Sequence, residues 1–353
     1  MVVTDPGIVA CGLLKRLETV LQSAGCTWDL FDAVVADPPE AVVLEASERA
    51  RAFEASGIIG FGGGSAMDVA KLVAILAAPG SAPLAQAYGV NQVTGSRLPL
   101  ALVPTTAGTG SEVTPVAIVT VGAEEKKGVV SPVLIPDLAI LDAELTLQLP
   151  PHVTAATGID AMVHAIEAYT SASSNNNPIS RVLAREALQL LGDSLTTCVS
   201  NGADLHARQQ ALLGACLAGQ AFANSPVAAV HALAYPLGTR FHLPHGLTNA
   251  LMLPAVMRFN LPAAAEQYAQ LLPCAFPESQ AQGDAQARAE QFIVLLEGLI
   301  ERVGLPKRLR EVGIKEEHID MLAADAMKQT RLLVNNPRPL DLQDAQHIYS
   351  QAW

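Results

Sequence analysis

The sequence predicts an α/β domain followed by an all-helical one. Short apolar runs alternate with amphipathic stretches over residues 1–150. Strand signals vanish after the pair Pro150-Pro151, and helical periodicity then holds to the C-terminus. Alternating strand and helix patterns imply a mostly parallel sheet, whereas uninterrupted helical periodicity implies helix-on-helix packing. The boundary is therefore set at the two prolines, with domains over 1–150 and 151–353.

Strands are expected in MVVT, WDLFDAVV, GIIGFGG, LPLALVP, PVAIVT and LAILD, with helices over 11–24, 41–55 and 66–77. PVAIVT, the polar stretch GAEEKKG and VVSPVL read together as a hairpin, so part of this domain is expected to be antiparallel. Only Met1 to Thr4 precede the turn Asp5-Pro6-Gly7, so either the first strand is truncated or an upstream segment is missing from this sequence. Beyond the prolines, helices are expected at 153–171, 178–200, 205–223, 226–237, 246–258, 284–303, 316–330 and 341–352. Residues 277–290, polar and rich in Gln and Ala, read as a surface excursion.

Composition excludes several functions. With 353 residues, 50% hydrophobic and 16% charged, the chain can bury a large core. A net charge of -12 offers no basic face to neutralise phosphates, which excludes nucleic acid as a partner. The longest apolar runs are too short to span a bilayer, so no membrane association is expected. The five cysteines are far apart and form no CxxC pair, which predicts reduced thiols in a cytoplasmic protein.

Two loops read as phosphate binders. GIIGFGGGSAMDVAK (57–71) is a strand, a turn Gly62-Gly63-Gly64-Ser65 and a helix. Glycines let backbone amides approach an anion, and the helix N-terminus adds its positive end. Ser65 is placed to cap that helix. The spacing differs from G-x-G-x-x-G, so a plain strand–helix connection explains the turn equally well. PTTAGTGSEVT (104–114) offers the hydroxyls of Thr105, Thr106 and Thr109 after another apolar strand. Two such loops together point to a pyrophosphate cradle. Asp5 closes the first strand, where a carboxylate can accept from a ribose 2′-OH and repel a 2′-phosphate; this favours NAD over NADP. The same residue also reads as a simple turn former before Pro6-Gly7.

A metal site is expected downstream. Asp160 and His164 lie four apart in GIDAMVHAIEAY, on one face of a helix. His231 stands in PVAAVHALAYPLG, where nothing else is charged, and His245 in FHLPHG. Pro-His-Gly opens a new helix, which favours His245 over its rival His242. One carboxylate and three imidazoles can hold a divalent ion with a position left open. That donor set accepts Fe(II), Zn(II), Co(II) or Ni(II) without choosing among them. Glu167 shares the face of Asp160 and reads either as a wet surface residue or as a support for a ligand.

The motifs GGGSAMDVAK, PTTAGTGSEVT, PDLAILD, TGIDAMVHAIEAYT, HALAYPLG and LPHGLTNALMLP resemble, in this order, those of the iron-containing (group III) alcohol dehydrogenases. That family includes lactaldehyde reductases and propanediol dehydrogenases. The resemblance runs from about residue 2 to the last residue. It implies a Rossmann-like dinucleotide-binding domain and an all-α metal-binding domain, the fold shared with dehydroquinate synthase. It implies Fe2+, with Zn2+ as an alternative, on Asp160, His164, His231 and His245. It also implies nucleotide contacts from Asp5, Gly63, Gly64, Ser65, Asp68, Thr105, Thr106, Thr109, Lys127 and Leu145. Assembly as a homodimer or higher oligomer follows from the same resemblance. In many relatives a histidine stands four residues after the third metal ligand. Here that position is Tyr235, which becomes the candidate proton relay, although an ordinary phenol of pKa about 10 is a weaker base at neutral pH than imidazole. Relatives also carry a longer N-terminus with a strand that pairs between subunits.

The expected reaction is reversible NAD-linked oxidation of a small alcohol to an aldehyde or ketone, with the metal as Lewis acid. Two alternatives stand beside it. One is an enzyme like maleylacetate reductase, which would need cations near the metal motifs, where Arg181 and Arg240 are the nearest. The other is a truncated, inactive paralogue or assembly partner.

Overall fold

The computed structural model describes residues 1–122 and 125–353. The chain divides into two compact units, one formed by Met1–Thr106 with Gly110–Gln148, the other by Ala107–Thr109 with Leu149–Trp353.

The described residues of the first unit form eight strands: β1 (Val2–Val3), β2 (Leu30–Phe31), β3 (Ile58–Gly62), β4 (Gly89–Val90), β5 (Leu100–Pro104), β6 (Val116–Val121), β7 (Glu125–Val130) and β8 (Leu138–Ala139). Its helices are α1 (Pro6–Ala10), α2 (Leu14–Ser23), α3 (Glu40–Ala52) and α4 (Gly64–Leu76). The main sheet is parallel throughout, in the order β2-β1-β3-β5-β8. β3 and β5 pair from Ile58↔Leu100 to Gly62↔Pro104, which brings their C-terminal ends side by side. The core sets Ile58, Leu100 and Leu102 of the sheet with Met67, Ala70 and Val73 of α4. Each such side chain contributes about 1.5–3 kcal/mol when fully buried. Gly60 allows α4 to lie this close: a Cβ there would stand 2.8 Å from that of Ala70 and 2.7 Å from Leu102 Cδ2.

A second sheet, in the order β4-β7-β6, holds the expected hairpin, with β6 and β7 antiparallel from Val116↔Val130. Residues 123 and 124 of its polar turn lie outside the described residues. The returning strand is the polar Glu125–Val130, while the Ser-Pro-Val-Leu expected to extend it forms a 3-10 turn at Pro132–Leu134. Pro132 lacks the N–H that a ladder requires. The strand expected across WDLFDAVV shrinks to Leu30–Phe31.

The second unit is helical: α5 (Pro151–Thr170), α6 (Pro178–Ser200), α7 (Leu205–Asn224), α8 (Ala229–Phe241), α9 (His245–Ala275), α10 (Ala285–Arg302), α11 (Ile319–Ala326), α12 (Thr330–Leu333) and α13 (Leu342–Ala352). α5 is its centre, with Ile159, Met162, Val163 and Ile166 buried against a core that includes Leu188, Leu191, Leu233, Leu253 and Phe292. α9 continues well past the end expected at 258, through Pro254, Pro262 and Pro273. A proline inside a helix costs about 3 kcal/mol; the burial of Met257, Phe259, Leu261, Leu271 and Leu272 along α9 offsets it. Among the described residues, no single helix is long and apolar enough to cross a membrane.

Candidate metal centre and nucleotide-binding turn

Three helices of the second unit bring Asp160, His164, His231 and His245 together. Asp160 and His164 occupy successive turns of α5, His231 is the third residue of α8, and His245 is the first residue of α9. One donor atom from each lies within 4.8 Å of the others. The Nε2 atoms of His164, His231 and His245 stand 3.9, 3.9 and 3.7 Å from Asp160 Oδ1. These separations are too long for hydrogen bonds. They approach the spacing of about 3.4 Å expected of two ligands held at about 2.1 Å on one tetrahedral ion. Asp160, His164 and His231 are buried, whereas the His245 side chain is 32% exposed, so the cluster opens to solvent on that side. Burial lowers the His164 pKa to about 4 against the pull of the Asp160 charge, so its ring is neutral at physiological pH. Burial pushes the Asp160 carboxyl up, but the three histidines more than offset this and hold it below the usual range. A carboxylate and imidazoles suit a divalent transition metal, and no thiol takes part. The donors present fit the group.

Local sequence explains the convergence. Gly246, directly after His245, lets the start of α9 touch α5, since a Cβ there would lie 2.3 Å from the Ala156 carbonyl oxygen. Phe222 stacks on His164 with ring centroids 4.5 Å apart. His242 ends α8 in the left-handed conformation, is exposed and stands outside the cluster. Tyr235 follows His231 by one turn, and its ring centroid is 5.8 Å from that of His245.

Two participants go beyond the ligand set read from the sequence. Glu167 is buried, so the wet-surface reading does not hold. Its Oε2 lies 2.6 Å from His231 Nδ1, and its Oε1 accepts the Val230 N–H at 2.7 Å. Asn249, one turn after His245 on α9, donates Nδ2–H to Asp160 Oδ1 at 2.6 Å. The same nitrogen stands 3.1 Å from His231 Nε2 and 3.3 Å from His245 Nε2. The i,i+4 spacing of His245 and Asn249 at a helix start is a signal that could have flagged it.

In the first unit, Asp5, the Gly62–Ser65 turn and Thr105-Thr106 follow the C-terminal ends of β1, β3 and β5, three adjacent strands. Ligands of open α/β sheets bind beyond such ends. α4 starts at Gly64 with Gly63 as its N-cap and no side-chain cap, so Ser65 lies inside the helix and does not cap it. The first helical bond runs from Met67 N to Gly63 O. The N–H groups of Gly64, Ser65 and Ala66 therefore have no intrahelical acceptor and suit an anion. Thr105 N–H donates to Gly62 O at 3.0 Å, which ties the two loops together. Asp5 Oδ1 caps α1 through the N–H groups of Gly7 and Ile8, while its Oδ2 faces the Gly62 turn.

The other predicted contacts are placed differently. Asp68 is engaged internally, accepting from Ser111 Oγ at 2.6 Å and from the Ile118 N–H at 2.9 Å. Leu145 is buried in an apolar cluster with Ile8, Phe61 and Val103. Lys127 lies on β7 of the second sheet, near Glu125 and over the Tyr88 ring. Thr109 sits in the short segment that belongs to the second unit.

A fully buried lysine braces the threonine loop. Lys71 Nζ donates to Ser111 Oγ at 2.8 Å, Thr114 Oγ1 at 3.2 Å and Val116 O at 2.7 Å, and lies 3.7 Å from Asp68. Burial lowers its pKa to about 8.

Comparison with known proteins assigns the class. The family model for iron-containing alcohol dehydrogenase matches residues 1–143, and that for the C-terminal part of the Fe-containing alcohol dehydrogenase family matches 154–353. The chain belongs to this family and is a metal-dependent alcohol dehydrogenase, an oxidoreductase acting on small-molecule alcohols and aldehydes. The family implies iron and NAD(H) as cofactors. It is 41% identical to long-chain-alcohol dehydrogenase 1 of Geobacillus thermodenitrificans, over 100% of this chain and 89% of that one. The crystal structure of a 1,3-propanediol oxidoreductase superposes with a TM-score of 0.95 at 34% identity, covering 100% of this chain and 91% of the other. Sulfoacetaldehyde reductase from Bifidobacterium kashiwanohense, solved in complex with NAD+, superposes at 0.87 with 29% identity, covering 99% and 89%.

Proposed function

We propose that Asp160, His164, His231 and His245 hold one divalent metal, Fe2+ before Zn2+, and that the enzyme oxidises a small alcohol reversibly with NAD in preference to NADP. The observation that carries this reading is the convergence of three imidazole nitrogens on one carboxylate oxygen, none of them bonded to it. A metal held by these four residues would supply Lewis acidity toward an alcohol oxygen, and a nicotinamide bound at the glycine turn would supply the hydride-accepting chemistry.

The chain's own residues bind and orient. The amides of Gly64 and Ser65 and the hydroxyls of Thr105, Thr106 and Thr109 take the nucleotide phosphates and ribose. Asp5 Oδ2 accepts from the ribose 2′-OH and disfavours a 2′-phosphate. Asp68, Lys127 and Leu145 act at the edges of that site, Asp68 by holding Ser111 and Leu145 by packing under α1. Tyr235, beside His245, carries the alcohol proton outward. An acidic substrate finds little support, because Arg240 pairs with Asp325 and Arg181 with Asn176. Five free cysteines suit a cytoplasmic setting, and assembly as a homodimer or larger homo-oligomer completes the reading.

The test is to strip the metal with a chelator, reload with Fe2+ or Zn2+, and screen small alcohols with NAD+ and NADP+. Activity that is lost on stripping, returns on reloading and is greater with NAD+ is expected. Full activity in protein free of metal would overturn the reading.

A further inference from the structure

The ring of His231 is held by a buried carboxylate, that of Glu167. Glu167 stands three residues after His164 on α5 and is 4% exposed, and His231 is 2% exposed. A carboxylate only accepts, so the 2.6 Å contact from Oε2 requires the proton on His231 Nδ1. Nε2 is then an unprotonated donor facing the cluster. A second contact indicates the same tautomer. Asn249 Nδ2 must be the amide nitrogen, because it lies 2.6 Å from the acceptor Asp160 Oδ1. The second hydrogen of that amide faces His231 Nε2 at 3.1 Å and His245 Nε2 at 3.3 Å, and the shorter contact suits a lone pair on His231 Nε2. Glu167 also fixes the backbone that carries the ring, since Oε1 takes the N–H of Val230, the residue before His231.

We propose that Glu167 is a positioning residue that sets the tautomer and direction of His231 and thereby the affinity of the site for metal; this rests on the metal reading of the quartet. Glu167→Gln is the informative change. The Gln carbonyl still accepts from Val230, but its amide then presents N–H to Nδ1. The ring is driven to the Nε2–H tautomer, and a proton points where the metal would be.

The experiment measures Zn2+ affinity of the full chain by competition with a chromogenic chelator, together with the melting temperature of the metal-free protein. Zn2+ binding by Glu167→Gln is expected to weaken about 10- to 100-fold, with partial recovery in Glu167→Asp and an unchanged metal-free melting temperature. Equal affinity in wild type and Glu167→Gln would overturn the proposal while leaving the metal reading intact. No Zn2+ binding by wild type would overturn the metal reading itself, and the proposal with it. Should Glu167→Gln not fold, nitrogen-15 NMR of the histidine rings in metal-free wild type decides: a proton on His231 Nδ1 is expected, and one on Nε2 refutes the role.

Discussion

Gly246→Ala tests how closely the start of α9 must approach α5 for the quartet to form. The new Cβ would lie 2.3 Å from the Ala156 carbonyl oxygen, 2.7 Å from its carbon and 3.3 Å from Asp160 Cβ. An ordinary C···O contact is about 3.3 Å, so the two helices must separate by about 1 Å. The obstacle is backbone inside α5, which cannot swing away as a flexible side chain would. His245 precedes the substituted residue and moves with it, away from donors on α5 and α8. Overpacking of this kind costs about 1–3 kcal/mol. At roughly 2–4 °C per kcal/mol for a unit of this size, the melting temperature should fall by several degrees. Displacing a working group by about 1 Å can cost on the order of 100-fold in activity. Thermal unfolding followed by circular dichroism gives the first number, and turnover with the metal-reloaded protein gives the second. Wild-type melting and wild-type turnover in Gly246→Ala would refute the argument that this glycine sets the position of His245.

Three further outcomes are expected. Asp5→Gly should raise activity with NADP+ relative to NAD+ by at least about fivefold, since a like charge some 4 Å away costs about 1 kcal/mol even in water; glycine is a tolerable N-cap, so the fold should lose only a few tenths of a kcal/mol, and an unchanged cofactor ratio removes Asp5 from the ribose site. His245→Ala should weaken metal retention by at least about 10- to 100-fold while His242→Ala leaves it unchanged, and the reverse pattern in a metal assay would show the wrong histidine has been chosen. Lys71 has a depressed pKa of about 8 against 10.5 when free. Between those values the unfolded chain binds the extra proton, so stability gained through Lys71 rises with pH across that window, by up to about 3 kcal/mol. Denaturant titrations across it should show the rise in wild type and not in Lys71→Met, and parallel curves would contradict the buried-lysine assignment.

Much of the fold was legible because it is written in local periodicity. α5 and α6 begin and end within a few residues of their expected bounds, since prolines open both and the apolar repeat is continuous. α9 was legible only as far as 258, just short of Pro262, and burial on several sides lets the helix continue through that proline. The approach of Asp160 to His164 is fixed by one helical turn and could be read directly. Bringing His231 and His245 to the same point depends on how α8 and α9 pack on α5. That packing is marked in the sequence only by Gly246 and by the resemblance of whole motifs. The Glu167–His231 contact joins residues 64 positions apart, so helix periodicity could place Glu167 on the right face without naming its partner. Asp68 and Leu145 illustrate the opposite limit. The resemblance implies nucleotide contacts from both, yet in the structure the Asp68 carboxylate accepts from Ser111 and Ile118 and Leu145 is buried in an apolar cluster.

X-ray absorption spectroscopy of the metal-loaded enzyme tests the central claim most directly, because it counts the donors around the ion. The account predicts three imidazole nitrogens and at least one oxygen at about 2.0–2.2 Å, with no sulfur. A sulfur shell, or fewer than three imidazoles, would contradict it.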